Sequence, residues 1–139
     1  MGRSSRWHGW VRWAECDAAG IIYHARVFDW FSEGRIQWLR EHDLDYYEVL
    51  RGQGLEMLVK TAEASFHHSL RPGDVIELDI ALEWVTPTRA AFRYQVFHPE
   101  NPDLVAIEGR TEHSFVVDGR ARRLDRRFPE IFEQFCRWS

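Results

Sequence analysis

Asp17-Ala18-Ala19-Gly20-Ile21-Ile22-Tyr23-His24 runs without a break into Ala25–Glu41, and the rest of the chain is arranged around this stretch. An acidic residue stands on a tight turn, and the longest helical pattern of the chain begins directly behind it. Ala25–Glu41 holds no proline, and Val27, Phe28, Phe31, Trp38 and Leu39 recur at helical spacings. Val27 and Phe31, and then Phe31 and Trp38, share one face. Trp30 and Ile36 widen it, as expected of a helix covered on more than one side. Arg26, Asp29, Glu33, Arg35, Arg40 and Glu41 occupy the remainder. At about 1.5 Å per residue the helix would run roughly 25 Å, enough to cross a small domain. Gly34 in its middle costs on the order of 1 kcal/mol against alanine, and close packing against a strand would account for it. A carboxylate before a helix N-terminus is also a chemical arrangement, because the free N–H groups there can hold a developing oxyanion.

Upstream, Met1–Ser5 reads as a loose start and Arg6–Cys16, rich in tryptophan, as a strand buried on both faces. Downstream, His42–Asp45 ends the helix and Tyr46–Arg51 forms one short further helical turn before Gly52-Gln53-Gly54. Leu55–His67 reads as the second strand and Leu70–Asp74 as a turn. The third strand has the cleanest pattern: Ile76, Leu78, Ile80, Leu82 and Trp84 alternate with Glu77, Asp79, Ala81 and Glu83. Arg89–Phe97 alternates again after Thr86-Pro87-Thr88, and Leu104–Val117 follows the proline-containing loop His98–Asp103. Asp118-Gly119 marks a turn, and Phe128–Trp138 a terminal helix opened by Pro129. The order is strand, long helix, then four strands joined by short connections, which predicts an antiparallel sheet wrapped around the helix. This is an α+β class. Two architectures satisfy the pattern, hotdog and cystatin-like.

The composition narrows the function classes. At 139 residues the chain reads as one domain, 1–139, long enough to bury a core without staples. A net charge of −4 gives no case for nucleic acid or an anionic membrane. No stretch approaches the ~20 apolar residues of a membrane span, and no apolar signal core opens the sequence. Cys16 and Cys136 form no disulfide or metal framework by spacing, so they read as reduced core thiols in a cytoplasmic protein. The tryptophans read first as core. His8, His67, His68 and His113 lack metal-ligand spacing, so no metal is expected.

The Asp17–His24 loop separates the two architectures. It resembles the active-site segment of hotdog acyl-CoA thioesterases in the 4-hydroxybenzoyl-CoA thioesterase and YbgC-like branch. That segment has an aspartate, two small residues, a glycine, two apolar residues and a Tyr-His or similar pair leading into the central helix. Val11-Arg12-Trp13-Ala14-Glu15 resembles the family's first strand, Glu33-Gly34-Arg35 its Glu-small-Arg element, and Pro72–Leu78 its turn into the next strand. The likeness covers roughly residues 10–117. Val27 stands where many members carry tyrosine, and His67-His68-Ser69 where many carry a proline.

The resemblance implies an acyl-CoA thioesterase, with acyl-CoA as substrate, water as the second reactant and no cofactor. It assigns the catalytic role to Asp17, as nucleophile or as general base for water; alone, the residue would read as a turn former or cap. Tyr23 and His24 fall at the helix start, where backbone N–H groups could hold the thioester oxygen. The helix dipole would favour a neutral His24 imidazole. Gly20 would admit backbone close to the substrate. Arg122 and Arg123, in a run with Arg120, Arg126 and Arg127, are candidates for the coenzyme A phosphates, with Arg89 a further one; the bland reading of the run is a solvated face. The resemblance also implies a homodimer or homotetramer with active sites between subunits, and unpaired sheet edges point the same way. Two rival readings stand beside it: a hotdog hydratase or dehydratase of acyl thioesters, and a non-catalytic acyl-CoA-binding module.

Overall fold

The computed structural model describes residues 3–139. Period-two patterning takes its expected form in β3 (Val75–Val85), where Ile76, Leu78, Ile80 and Leu82 are all buried. This strand pairs with β1 (Ser4–Trp10) on one side and β4 (Arg89–Phe97) on the other. β5 (Val105–Val117) and β2 (Leu55–Phe66) continue the sheet in the order β1-β3-β4-β5-β2, all antiparallel. A two-residue strand, β6 (Arg120–Ala121), folds back on the end of β5. Short turns make neighbours of β3, β4 and β5, but β2 does not pair with β3. The 67–74 connection carries the chain across one end of the sheet, so β2 becomes the edge beyond β5.

The long helix forms where its spacing predicts. Three residues of 3₁₀ turn, His24–Arg26, lead into α1 (Val27–Glu41), whose Val27, Trp30, Phe31, Gly34, Trp38 and Leu39 are buried against the sheet. Gly34 has the suspected reason: a Cβ there would lie 2.6 Å from Leu78 Cδ2. Gly109 on β5 is tighter still, because a Cβ there would overlap the Phe31 ring, which stacks on Tyr94 with centroids 4.2 Å apart. Gly109→Ala is therefore expected to cost about 2–3 kcal/mol. Gly34→Ala should cost less, since its helix propensity returns about 1 kcal/mol. Denaturant midpoints at unchanged slope measure both, and a Gly109→Ala protein as stable as wild type would contradict this packing.

The first strand departs from its expectation. It begins at Ser4, inside the stretch read as loose, and ends at Trp10; Met1 and Gly2 lie outside the described residues. Val11 stays buried and exchanges backbone hydrogen bonds with Asp74 and Gly73, Trp13–Glu15 make a 3₁₀ turn, and Trp10 and Trp13 are left exposed. An edge strand that stops early needs no two-sided burial, so aromatic content was a false signal there. Both cysteines are free; Cys16 is half-buried and packs against the core, whereas Cys136 is exposed, so the expectation of a core thiol fails for Cys136. At the far end, α2 (Leu124–Arg127) and α3 (Pro129–Trp138) cap the core, Phe135 packing between Trp38 and Phe115.

A buried polar chain crosses this core. Arg35 donates to Tyr94 Oη at 3.0 Å, Tyr94 Oη and Thr111 Oγ1 are 2.6 Å apart, and Thr111 Oγ1 lies 2.8 Å from His113 Nε2. His113 Nδ1 is buried with no hydrogen-bond partner of good geometry among the described residues. Burial, reinforced by the Arg35 charge, lowers the His113 pKa to about 3, and the backbone at Met57 opposes this only weakly. In the unfolded chain the ring protonates below its ordinary 6.5, whereas the native ring resists until about 3. Stability from this group is thus present at neutral pH and lost as pH falls through that window. The full difference corresponds to at most about 5 kcal/mol. Urea titrations at pH 7 and pH 4.5 should show a smaller loss for His113→Leu than for wild type; equal losses would remove His113 from the account.

Candidate active site

The Asp17 loop is a closed hairpin built from its own backbone. Cys16 and Ile22 form an antiparallel bridge, Asp17 N–H donates to the Ile21 carbonyl at 3.0 Å, and Gly20 N–H donates to the Asp17 carbonyl at 3.0 Å. Gly20 completes the turn at φ +78°, a conformation that a side chain resists. Asp17 Oδ1 accepts the Ala19 N–H at 2.9 Å, the local Asx turn that keeps its carboxylate pointed out of the loop. Oδ2 makes no hydrogen bond or ion pair among the described residues, and the side chain is exposed.

Two anchors fix this hairpin to the domain. Ile22 N–H donates to the Leu70 carbonyl at 2.8 Å, which ties the loop to the crossing segment before β3. Tyr23 N–H donates to the Glu15 carbonyl at 2.8 Å, so this amide is already committed. The N–H groups of His24 and Ala25 make no such backbone bond among the described residues; they are the open donors at the helix mouth. The His24 ring sits against Tyr23 with centroids 4.5 Å apart, tilted by 50°, and both side chains are exposed. Asp17, Gly20, Tyr23 and His24 thus lie on one hairpin, which carries an exposed carboxylate and leads into the helix N-terminus.

The arginines are gathered elsewhere. Arg122, Arg123, Arg126 and Arg127 line one shallow cavity of about 620 Å³. Arg123 grips Asp125 through Nε at 3.1 Å and Nη2 at 2.9 Å and holds that carboxyl below the usual carboxylate range. Arg126 and Arg127 have no ion pair among the described residues. The Leu124 N–H donates to the Pro87 carbonyl at 2.6 Å, which seats the cluster on the β3–β4 turn, where Arg89 pairs with Glu112 at 3.7 Å. Pairing registers place that turn beside the last residues of β5, while the Asp17 loop lies at the end where β2 finishes and β3 begins. Ten residues of β5 separate these two ends, roughly 30 Å at ~3.3 Å each. One chain does not bring Asp17 and the arginines together.

Glu15 is the residue that sequence reading passed over. It is 5% exposed; Oε1 accepts the Arg12 N–H and Oε2 the Trp30 Nε1–H, both at 2.9 Å. The second partner lies fifteen residues away on α1, a contact that no local spacing announces.

A long helix laid across one face of a curled antiparallel sheet, with a carboxylate loop at the helix N-terminus, defines a hotdog domain. The model of the thioesterase-like superfamily matches residues 11–138, and the chain belongs to that family. An Aquifex aeolicus protein described as a putative esterase is 28% identical over 123 residues, covering 88% of this chain and 93% of its own length. The Escherichia coli acyl-CoA thioester hydrolase YbgC is 23% identical over 96 residues, covering 69% and 71%. Among solved structures, the DHNA-CoA thioesterase of Staphylococcus aureus superposes with a TM-score of 0.89 at 24% identity, covering 96% of this chain and 89% of that one.

Proposed function

We propose that this protein hydrolyses an acyl-CoA thioester to the free acid and coenzyme A, in the cytoplasm, with Asp17 as the catalytic group. The observation that carries the proposal is the unpartnered Asp17 Oδ2 on a closed hairpin that runs directly into the open His24 and Ala25 N–H groups. A thioester carbonyl seated there would meet a carboxylate able to attack it or to activate water, and two amides aimed at the oxygen on which charge develops. The commitment of the Tyr23 amide to Glu15 moves the oxyanion role onto His24 and Ala25. Tyr23 would contribute its ring, which braces His24. Both cysteines are free, as a reducing compartment would keep them.

The site is completed by a second copy. On β2, Val59 pairs with buried His113 and Phe66 with buried Ile107, so both face the core side of the sheet, yet they are 44% and 45% exposed. An edge strand of 12 residues with an unfinished apolar face invites a partner strand. Two-fold antiparallel pairing of β2 with its copy would set the Asp17 end of one subunit beside the arginine end of the other. Each substrate would then react at one chain's Asp17 while Arg89, Arg122 and Arg123 of the other receive its phosphates. A free-thiol assay over short-chain, long-chain and aromatic acyl-CoAs tests the reaction. Turnover is expected for at least one class, and none across the panel would reject it.

A further inference from the structure

We infer that Glu15 is a positioning residue, which holds the Asp17 hairpin at a fixed place relative to the N-terminus of α1. The inference rests on the reading of Asp17 as the catalytic group. Glu15 is a carboxylate almost wholly withdrawn from water, and such a charge is costly unless its acceptors are filled. They are filled by two N–H donors from different parts of the chain: Arg12 before the loop and the indole of Trp30 on the second turn of α1. The carbonyl of the same residue takes the Tyr23 N–H from the returning leg of the hairpin. One residue, two positions before Asp17, therefore joins the outgoing leg, the returning leg and the helix.

A local role does not account for this. Accepting the Arg12 N–H would cap the short 3₁₀ turn, but capping requires neither the bond to Trp30 nor the burial. The Arg12 guanidinium lies 3.6 Å away and is itself largely exposed, so charge neutralisation is not the purpose of the site either. The chemistry of the pair explains the residue type. Both partners only donate, so both side-chain oxygens must accept, and glutamine would turn an NH₂ group toward one of them. The distance that this triad sets is the one on which the proposed reaction depends, between the Asp17 carboxylate and the His24 and Ala25 amides. A shift of about 1 Å in such a distance can cost on the order of 100-fold.

Glu15→Gln is the test, with kcat and KM measured on the acyl-CoA that wild type turns over fastest. The expected result is a kcat lower by about 10–100-fold with KM changed less than about threefold. Placed on Asp17→Asn, the same substitution should change the residual rate less than about twofold, because the group it positions is already lost. Trp30→Phe removes one donor, and Glu15→Gln with Trp30→Phe should be no slower than Glu15→Gln alone. A folded Glu15→Gln enzyme with wild-type kcat would overturn the inference. So would an equal fold-loss in the wild-type and Asp17→Asn backgrounds, which would mark a structural role independent of Asp17. Should Glu15→Gln fail to fold, Trp30→Phe decides alone: a lowered kcat supports the triad and an unchanged one rejects it. An inactive Asp17→Asn beside a fully active Glu15→Gln removes only this inference, whereas an active Asp17→Asn removes the reading beneath it.

Discussion

Replacement of Asp17 with asparagine is expected to lower turnover by about 10²–10⁴, the range for losing an acid–base group, while fold and acyl-CoA affinity persist. Asparagine keeps an Oδ1 that can accept the Ala19 N–H, so the turn that presents the side chain survives. The hairpin is otherwise held by main-chain bonds: Asp17 to Ile21, Gly20 to Asp17, Ile22 to Leu70 and Tyr23 to Glu15. None of these depends on a carboxylate at position 17. What is lost is the free anionic oxygen, and an amide neither attacks a thioester well nor takes a proton from water. His24→Ala should cost less, because the amides of His24 and Ala25 stay in place when the ring is removed. Single turnover in ¹⁸O-water bears on the mechanism: label entering the Asp17 carboxylate identifies a nucleophile. Wild-type hydrolysis by a folded Asp17→Asn protein would end the catalytic assignment.

The second large effect comes from mixing subunits. Asp17 and the arginine cluster stand roughly 30 Å apart in one chain, at opposite ends of the sheet. If two-fold pairing unites them, a variant lacking Asp17 and a variant lacking the arginines should complement each other. Asp17→Asn and the double variant Arg122→Ser with Arg123→Ser should each be poor on its own, the second mainly through KM. After co-refolding in equal amounts, about half of the dimers are mixed and each carries one intact site, so activity should return to about a quarter of wild type. Light scattering should give about twice or four times the 16.6 kDa of the chain. No recovery on mixing, or a monomeric mass, would mean that the arginines belong to the solvated face that their run first suggests.

The central helix was legible because it is long and one-sided. Phe31 and Trp38 lie at zero exposure where their spacing puts them, and Gly34 packs against Leu78 as its presence in mid-helix suggested. Strands β3 and β4 were legible because hydrophobic alternation is a direct consequence of one-sided burial. The first strand was not: Trp7, Trp10 and Trp13 look alike in sequence, and only pairing with β3 decides that Trp10 ends the strand and Trp13 stands in solvent. At the site, the loop was read through its resemblance to a known active-site segment, since Asp17 alone reads as a turn former or cap; the positive φ of Gly20 fits the turn which that segment makes. Glu15 could not be read, since its importance lies in a contact with Trp30 that exists only after the helix docks. The separation of Asp17 from the arginines was equally hidden. It follows from the Ile22–Leu70 hydrogen bond, which docks the loop where β3 begins, at the end of the sheet opposite the one where β5 finishes, and that docking is not written in local patterning.

Hydrolysis, as distinct from binding, is tested most directly by following both in one sample. Wild-type protein is titrated with the panel of acyl-CoAs in a calorimeter, and free thiol is then measured over time in the same cell. The account predicts that at least one acyl-CoA that binds is also cleaved, releasing coenzyme A in step with free acid, and that Asp17→Asn binds it comparably but releases thiol about 10²–10⁴ times more slowly. Saturable binding by folded wild-type protein with no thiol released over hours would contradict it and leave a binding module in its place.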